Sequence, residues 1–281
     1  MATDRARRER RGEGRARGTS DLGARIVAAI PAIAFCIAIV VLGGPVFAAG
    51  LLLLGVLAMH ELYSLMRRVR PVDIAGFLAL AGLLLAALYG GREQMLMVLM
   101  ASVPLVFFLA LSRPRREDVS WGIAATMLGI VWIGLALAHA VLLRDLPHGG
   151  GLVVDVLIGT FIGDTAAYFG GRIWGRRTLA PAISPNKTVE GLLAGIVGGT
   201  LAFWLFAVSY QDWFAGVDAL VIGFCVALAG PVGDLFESLL KRDLEAKDTG
   251  RFFGAHGGVL DRLDAVFFTA VVGYYASLAV L

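Results

Sequence analysis

The residues able to do chemistry in this 281-residue chain concentrate between Ser238 and Asp264. That stretch holds Ser238, Lys241, Arg242, Lys247, Asp248, Arg251, His256, Gly257, Gly258, Asp261, Arg262 and Asp264, and Gly233-Asp234 stands just before it. Asp234, Asp261 and Asp264 are hard oxygen donors of the kind Mg²⁺ prefers when it also binds substrate phosphate and water. Lys241, Arg242, Lys247 and Arg251 can neutralise phosphate charge, and paired glycines let backbone come close to a ligand. His256 can donate to a phosphate, move a proton, or simply close a loop hydrogen bond. On helices, Asp234, Glu237 and Lys241 recur at i, i+3 and i+7, and Asp261 and Asp264 at i, i+3, so each set shares one face. The combination points to a phosphate-bearing ligand with a metal, against the plainer alternative of a charged loop that only sets topology.

Two upstream segments offer further walls for such a site. Asp164 lies deep within the apolar run 151–171, where a charge costs about 2.5–3.5 kcal/mol on insertion scales, so it is expected to line a polar cavity or bond a neighbouring helix. Tyr168 follows one turn later on the same face. The loop Ser184-Pro185-Asn186-Lys187-Thr188-Val189-Glu190-Gly191 leads into another apolar segment. Pro185 biases Ser184 towards extended backbone, and the helix amides that follow, with Lys187 and Thr188 beside them, make an anion cradle. Glu190 suits the first turn of that helix or a cation partner. Pro231, between Gly230 and Gly233, predicts a kink just before Asp234.

The elements that must position these residues are membrane helices. The chain is 58% hydrophobic and 17% charged, which excludes an ordinary soluble domain. Measured at about 20 apolar residues per crossing, nine spans are expected, near 22–42, 46–66, 72–89, 93–112, 120–143, 151–171, 188–209, 217–240 and 262–281. Placing the N-terminus inside puts all but Arg92 and Arg144 of the 25 Lys and Arg on the cytoplasmic side, as the positive-inside rule requires. The fold class is therefore an all-α integral membrane protein with its C-terminus outside. Residues 1–20, with seven Arg and no apolar period, read as a disordered basic cytoplasmic arm. Residues 21–150 form the N-terminal transmembrane helices, and 151–281 the C-terminal catalytic region.

The first five spans offer little chemistry. His60 and Glu61 sit near the inner end of the second span, just before the arginines at 67, 68 and 70, where a carboxylate can pair with a cation or lie at the interface, a structural reading favoured over a catalytic one. His139 and His148 fall towards the outer side, and Asp155 near the outer end of the sixth span, where water reaches it. Gly159 with Gly163, and Gly191, Gly195 and Gly199, predict close helix contacts. Cys36 and Cys225 lie in apolar runs without metal-ligand spacing and read as core residues. Neither a nucleotide-binding Gly-rich loop ending in Lys-Ser or Lys-Thr nor a Ser-His-Asp arrangement can be placed, and no aromatic and basic platform for nucleic acid is present outside the arm.

The gapped run Ser238-x₂-Lys241-Arg242-x₄-Lys247-Asp248, continuing through His256-Gly257-Gly258 to Asp261-Arg262-x-Asp264, resembles the signature of the phosphatidate cytidylyltransferases, or CDP-diacylglycerol synthases. The likeness extends to Gly233-Asp234, to Ser184-Pro185-x-Lys187-Thr188-x-Glu190-Gly191 and to Gly163-Asp164-x₃-Tyr168, and so covers roughly the last 120 residues. Gly254-Ala255 replaces the Pro-Gly common before the histidine, and Asn186 replaces a second basic residue.

The resemblance implies transfer of a cytidylyl group from CTP to phosphatidate, giving CDP-diacylglycerol and pyrophosphate in phospholipid synthesis. It implies Mg²⁺ as cofactor, with a monovalent cation as an open second ion, and CTP, phosphatidate and membrane lipid as partners, with no nucleic acid and a homodimer left open. The implied catalytic residues are Lys241, Arg242, Asp261, Asp264 and His256. Substrate binding falls to Ser184, Lys187, Thr188, Glu190, Asp164, Tyr168, Ser238, Lys247 and Arg262, and metal binding to Asp234, Asp261 and Asp264. The implied location is the bacterial cytoplasmic membrane with the site facing the cytoplasm. Another Mg²⁺-dependent head-group transferase and an ion-coupled secondary transporter are the alternatives, the latter drawing on Asp164 and the Pro231 segment.

Overall fold

The computed structural model describes residues 31, 33–114, 117–246, 249–250 and 258–280. The basic arm at 1–20, with Lys247, Asp248, Arg251, His256 and Gly257, lies outside the described residues. The chain divides into Met1–Val41 and Leu42–Leu281. The described backbone of the first is helical, as the apolar helix α1, Ile33–Leu42, which ends at the boundary.

The second unit is nearly all helix, as its uninterrupted apolar runs require where backbone groups must bond within their own segment. Its elements are α2 (Gly44–Leu65), a short 3₁₀ turn (Arg67–Val69), α3 (Asp73–Tyr89), α4 (Arg92–Leu111), α5 (Val119–Gly129), a π-helical turn (Ile130–Gly134) and α6 (Leu135–Asp145). Then follow α7 (Gly149–Trp174), strands β1 (Thr178–Ala180) and β2 (Ser184–Thr188), α8 (Val189–Tyr210), α9 (Gly216–Asp243) and α10 (Leu260–Val280).

Seven helices among the described residues are long and apolar enough to cross a membrane, with Val119–Asp145 counted as one through its π-helical turn. The other two expected crossings correspond to the shorter apolar helices Ile33–Leu42 and Asp73–Tyr89.

The hairpin is a departure from the expected loop. β1 and β2 pair antiparallel, with Thr178 opposite Thr188 and Ala180 opposite Ser184. Pro185 does place Ser184 in extended backbone, and the following residues remain extended up to the helix. At Pro231 the expected kink does not interrupt the helix, because α9 runs from Gly216 to Asp243 without a break.

Helix α7 packs along α8, α8 along α9, and α9 along α10. The expected glycine contacts form the α7–α8 seam. A Cβ at Gly199 would stand 2.8 Å from the Gly159 carbonyl oxygen, and one at Gly163 would stand 3.3 Å from that of Gly195, so backbone meets backbone there. The α9–α10 seam is equally close at Gly233, where a Cβ would lie 2.5 Å from the Asp264 carbonyl oxygen. That approach brings Asp234, the next residue on α9, alongside the start of α10.

The N-terminal helices reach the same pair through aromatic packing. Trp132, in the π-helical turn, stands edge-on to Phe236 of α9 at 4.8 Å and to Phe267 of α10 at 5.8 Å between ring centroids. A π-helical turn offsets the side chains that follow it by a fraction of a turn, which lets one helix serve two packing directions. Tyr63 of α2 donates to the Thr126 carbonyl of α5 at 3.0 Å, and the Thr126 hydroxyl accepts from Val72 N at 2.7 Å, tying the end of α2 and the start of α3 to α5.

Candidate active site

Among the described residues a connected cluster of charges joins α9 to α10. Lys241 donates from Nζ to Glu237 Oε2 at 2.7 Å and to Asp261 Oδ1 at 3.0 Å. Glu237 and Lys241 are one turn apart on α9, while Asp261 lies in the first turn of α10, so the ammonium bridges the helices. Glu237 is almost fully buried. Burying one cation between two carboxylates is favourable only when the remaining hydrogen-bonding capacity is met. Asp261 meets that condition: Oδ1 and Oδ2 accept from Thr249 N at 3.3 and 3.1 Å, and Oδ2 from Gly258 N at 2.7 Å. Glu237 does not, because its Oε1 has no hydrogen-bond partner among the described residues.

One turn earlier on α9, Asp234 Oδ2 forms an ion pair with Lys187 Nζ of β2 at 2.5 Å, both side chains partly exposed. The hairpin thereby presents its lysine to the helix pair. Local structure fixes the hairpin. Thr188 caps α8 by accepting from Gly191 N at 3.1 Å, and Glu190 Oε2 accepts from Arg176 N and Arg177 N at 2.9 and 3.2 Å. Arg242 donates from Nε to the Ile183 carbonyl at 3.1 Å, tying the turn of the hairpin to the end of α9. Glu190 stands in the first turn of α8, one of its two expected places, and its carboxylate also holds the backbone at Arg176 and Arg177.

Asp164 of α7 and Asp264 of α10 complete the group. Asp164 interacts electrostatically with Asp234, Asp264 and Lys187, and Asp264 with Asp234 and Lys241. Asp264 also accepts from its neighbour Ala265 N at 2.8 Å. Four separate elements, α7, β2, α9 and α10, therefore bring Asp164, Lys187, Asp234, Glu237, Lys241, Asp261 and Asp264 into one charged region.

The donor set suits a divalent cation that shares its shell with a substrate. Among the described residues no three His, Cys, Asp or Glu side chains converge into a complete protein cage. Mg²⁺ commonly keeps waters and takes only one or two carboxylates together with phosphate oxygens. Asp234 and Asp264 provide such a pair, with Asp164 in electrostatic range and Glu237 beside Asp264. Asp261 is the least available of the three expected metal ligands, since both of its oxygens are occupied by Lys241 and backbone amides.

Other expected residues stand apart from this region or serve it indirectly. Tyr168 is exposed, and its hydroxyl accepts from Arg172 at 3.0 Å, an interaction along α7 rather than with Asp164. Ser184 is a strand residue of the hairpin, Ser238 lies on α9 between Glu237 and Lys241, and Arg262 follows Asp261 on the exposed side of α10. Lys247 and His256 lie outside the described residues.

Two expectations in the apolar half change. Asp155 is not reached by water: it is fully buried and accepts from Tyr210 Oη at 2.8 Å and Gln211 Nε2 at 2.5 Å, a structural tie between α7 and the end of α8. Glu61 does not pair with the nearby arginines. It is buried and accepts from Val259 N at 3.0 Å and Leu260 N at 2.9 Å, at the start of α10. His139 bonds the Leu135 carbonyl and Tyr275, and His148 stacks on Trp213, both structural roles.

A cavity of about 520 Å³ lies elsewhere, lined by His60, Ser64, Arg67, Arg70, Asp73 and Arg113 among others. It contains none of the clustered carboxylates or lysines, and Arg113 there is bonded to the Arg70 and Pro71 carbonyls.

Comparison with known proteins agrees with the motif. The profile of the cytidylyltransferase family matches residues 23–280. The chain is 30% identical to a phosphatidate cytidylyltransferase of Synechocystis sp. over 89% of its own length and 94% of that protein. It is also 30% identical to one from Bacillus subtilis over 91% of its length and 97% of that protein. A third, from Mycobacterium leprae, is 38% identical over 59% of this chain and 53% of its own. With a family match running through every described helix of the charged region, the chain belongs to the cytidylyltransferase family.

Proposed function

We propose that this membrane protein transfers the cytidylyl group of CTP to phosphatidate, forming CDP-diacylglycerol and pyrophosphate. The observation that carries the reading is the convergence of Lys187, Asp234, Lys241, Asp261 and Asp264 from three elements onto one region in a chain of this family. In the reaction a phosphatidate oxygen forms a bond to the α-phosphorus of CTP. The bond from that phosphorus to the bridging oxygen of the β-phosphate breaks, and pyrophosphate leaves.

The nucleophile already carries negative charge, so no strong general base is needed. The barrier lies in bringing anions together and holding them in line. Lys187 and Lys241 supply positive charge at two fixed points, Lys187 oriented by Asp234 and Lys241 by Glu237 and Asp261. Arg242, anchored through Nε, presents its guanidinium at the hairpin turn. Asp234 and Asp264, with Asp164 nearby, would hold Mg²⁺, which when bound neutralises phosphate oxygens and orients the leaving group. Asp261 keeps Lys241 and the backbone at Thr249 and Gly258 in place.

The membrane arrangement that supports this chemistry has nine spans, the N-terminus inside and the C-terminus outside. Seven long helices account for most of it, and the 17 residues of α3 lie at the lower end of the range that crosses a bilayer. The Lys and Arg bias supports a charged region at the cytoplasmic face, where soluble CTP meets lipid phosphatidate. The bacterial relatives make the cytoplasmic membrane the natural location.

Pyrophosphate release by purified protein in detergent, with CTP, Mg²⁺ and phosphatidate, tests the reading. Release that requires phosphatidate is expected. Release from CTP alone, or none with both substrates and metal present, would overturn it.

A further inference from the structure

Glu61 comes from α2, far in sequence from the charged motif, yet its carboxylate lies against both ends of the segment that carries it. Thr249 Oγ1 approaches Oε2 at 3.4 Å, while Val259 N donates to Oε1 at 3.0 Å and Leu260 N to Oε2 at 2.9 Å. The side chain is 8% exposed. Glycines on both sides make room for it. A Cβ at Gly250 would stand 2.5 Å from Glu61 Oε1, and a Cβ at Gly258 would collide with Oε2.

Three physical consequences follow from these contacts. The first amides of a helix lack intrahelical acceptors, and an anion there satisfies them and complements the helix dipole. Glu61 thus caps α10 from another helix. Hydrogen bonds from backbone N–H groups to a carboxylate are short and directional, so they set the register of Leu260 and with it Asp261, the next residue. Asp261 in turn accepts from Lys241, Thr249 and Gly258. The two carboxylates therefore grip the same backbone, Glu61 from α2 and Asp261 from α10, and Lys241 is placed by the second only if the first holds α10 in register.

We propose that Glu61 is a positioning residue for cytidylyl transfer: it fixes the start of α10 so that Asp261 holds Lys241 where phosphate charge develops. The proposal rests on the phosphatidate cytidylyltransferase reading above. Among the described residues the Glu61 carboxylate bonds the Thr249 hydroxyl and the Val259 and Leu260 amides, so its effect on the charged region runs through backbone. Its removal should therefore lower kcat and leave KM for CTP nearly unchanged, because alignment matters most in the transition state.

The test compares full-length wild type, Glu61→Gln, Glu61→Ala, Gly250→Ala and the Glu61→Ala/Gly250→Ala double variant, purified in detergent. The readouts are kcat, KM for CTP and the unfolding temperature. Glu61→Gln keeps the shape but loses the charge and one acceptor, and a fall in kcat of about 10- to 100-fold with less than a threefold change in KM is expected. Gly250→Ala crowds the carboxylate and should lower kcat in the wild-type background, whereas in the Glu61→Ala background, where the space is empty, it should cost little.

Wild-type turnover with near-normal kcat in Glu61→Gln overturns the positioning role. So do equal losses in kcat and in apparent CTP affinity, or additive effects of Gly250→Ala and Glu61→Ala. If Glu61→Ala does not fold, Glu61→Gln and Gly250→Ala decide the matter by the same kcat and KM comparison. Absence of phosphatidate-dependent turnover in the wild type overturns the underlying functional reading instead, which keeps the two failures distinct.

Discussion

At the scale of single residues, Lys241 and Lys187 illustrate two different uses of an ion pair. Lys241 is held between Glu237 and Asp261 in a mostly buried setting, so its loss strands two carboxylates. Lys241→Ala is expected to abolish measurable turnover and to destabilise the fold by about 3–5 kcal/mol, the range found when one partner of a buried pair is removed. Lys187 and Asp234 are partly exposed, and such pairs contribute about 0–1 kcal/mol. Lys187→Ala should therefore reduce turnover by about 100-fold or more while shifting stability by less than about 1 kcal/mol. Parallel unfolding and pyrophosphate-release measurements check both. A similar loss of stability in the two variants would mean that the charged region is a structural network rather than a site. The residues of these pairs were legible in the sequence because their chemistry is local: Asp234, Glu237 and Lys241 fall at helical spacing on one segment, and Asp261 and Asp264 on another. Glu61 was not, because its partners are 188 to 199 positions away and no periodicity links them. Asp155 was misjudged for the same reason, since depth in a predicted span says nothing about Gln211 folding back onto it.

At the scale of elements, the site depends on helices that touch through backbone. The α7–α8 seam carries Asp164 on one side and continues from the hairpin on the other, so opening it would move Asp164 relative to Lys187. Gly199→Val is expected to force the seam apart against the Gly159 carbonyl and to cost about 1–3 kcal/mol, seen as a lower unfolding temperature. Turnover should fall with it, since the added side chain has no space that flexible neighbours can yield. An unchanged unfolding temperature would contradict the close contact. Four-residue glycine spacing announced this seam in the sequence, because small residues on one face serve close helix packing whatever the fold. The β1–β2 hairpin was less visible. Three- and five-residue strands carry little pattern, and only Pro185 hinted at extended backbone. The π-helical turn at Ile130–Gly134 has no sequence signal comparable to proline, and the partners of its Trp132, Phe236 and Phe267, lie more than 100 residues away.

At the scale of the whole molecule, hydropathy was enough to recover the helical membrane class and the positions of the long helices, while the number of crossings rests on two short ones. Helices of 17 residues or fewer sit at the edge of what spans a bilayer, so length alone does not decide them. Single cysteines placed in a Cys36→Ser, Cys225→Ser background resolve the sidedness. A cysteine replacing Asp212 should react with a membrane-impermeant thiol reagent in intact cells, and one replacing Glu245 only after permeabilisation. The reverse pattern would put the charged region on the wrong side for CTP.

The central claim is a particular bond exchange at phosphorus, and isotope position tests it most directly. Purified protein in mixed micelles with phosphatidate and Mg²⁺ is given CTP labelled at either the α- or the γ-phosphorus, and the lipid phase is extracted and counted. Transfer of the cytidylyl group predicts that the α-label enters the lipid in proportion to phosphatidate consumed, while the γ-label stays in water as pyrophosphate. Label from the γ-position in the lipid, or no α-label there with both substrates and metal present, would contradict the account.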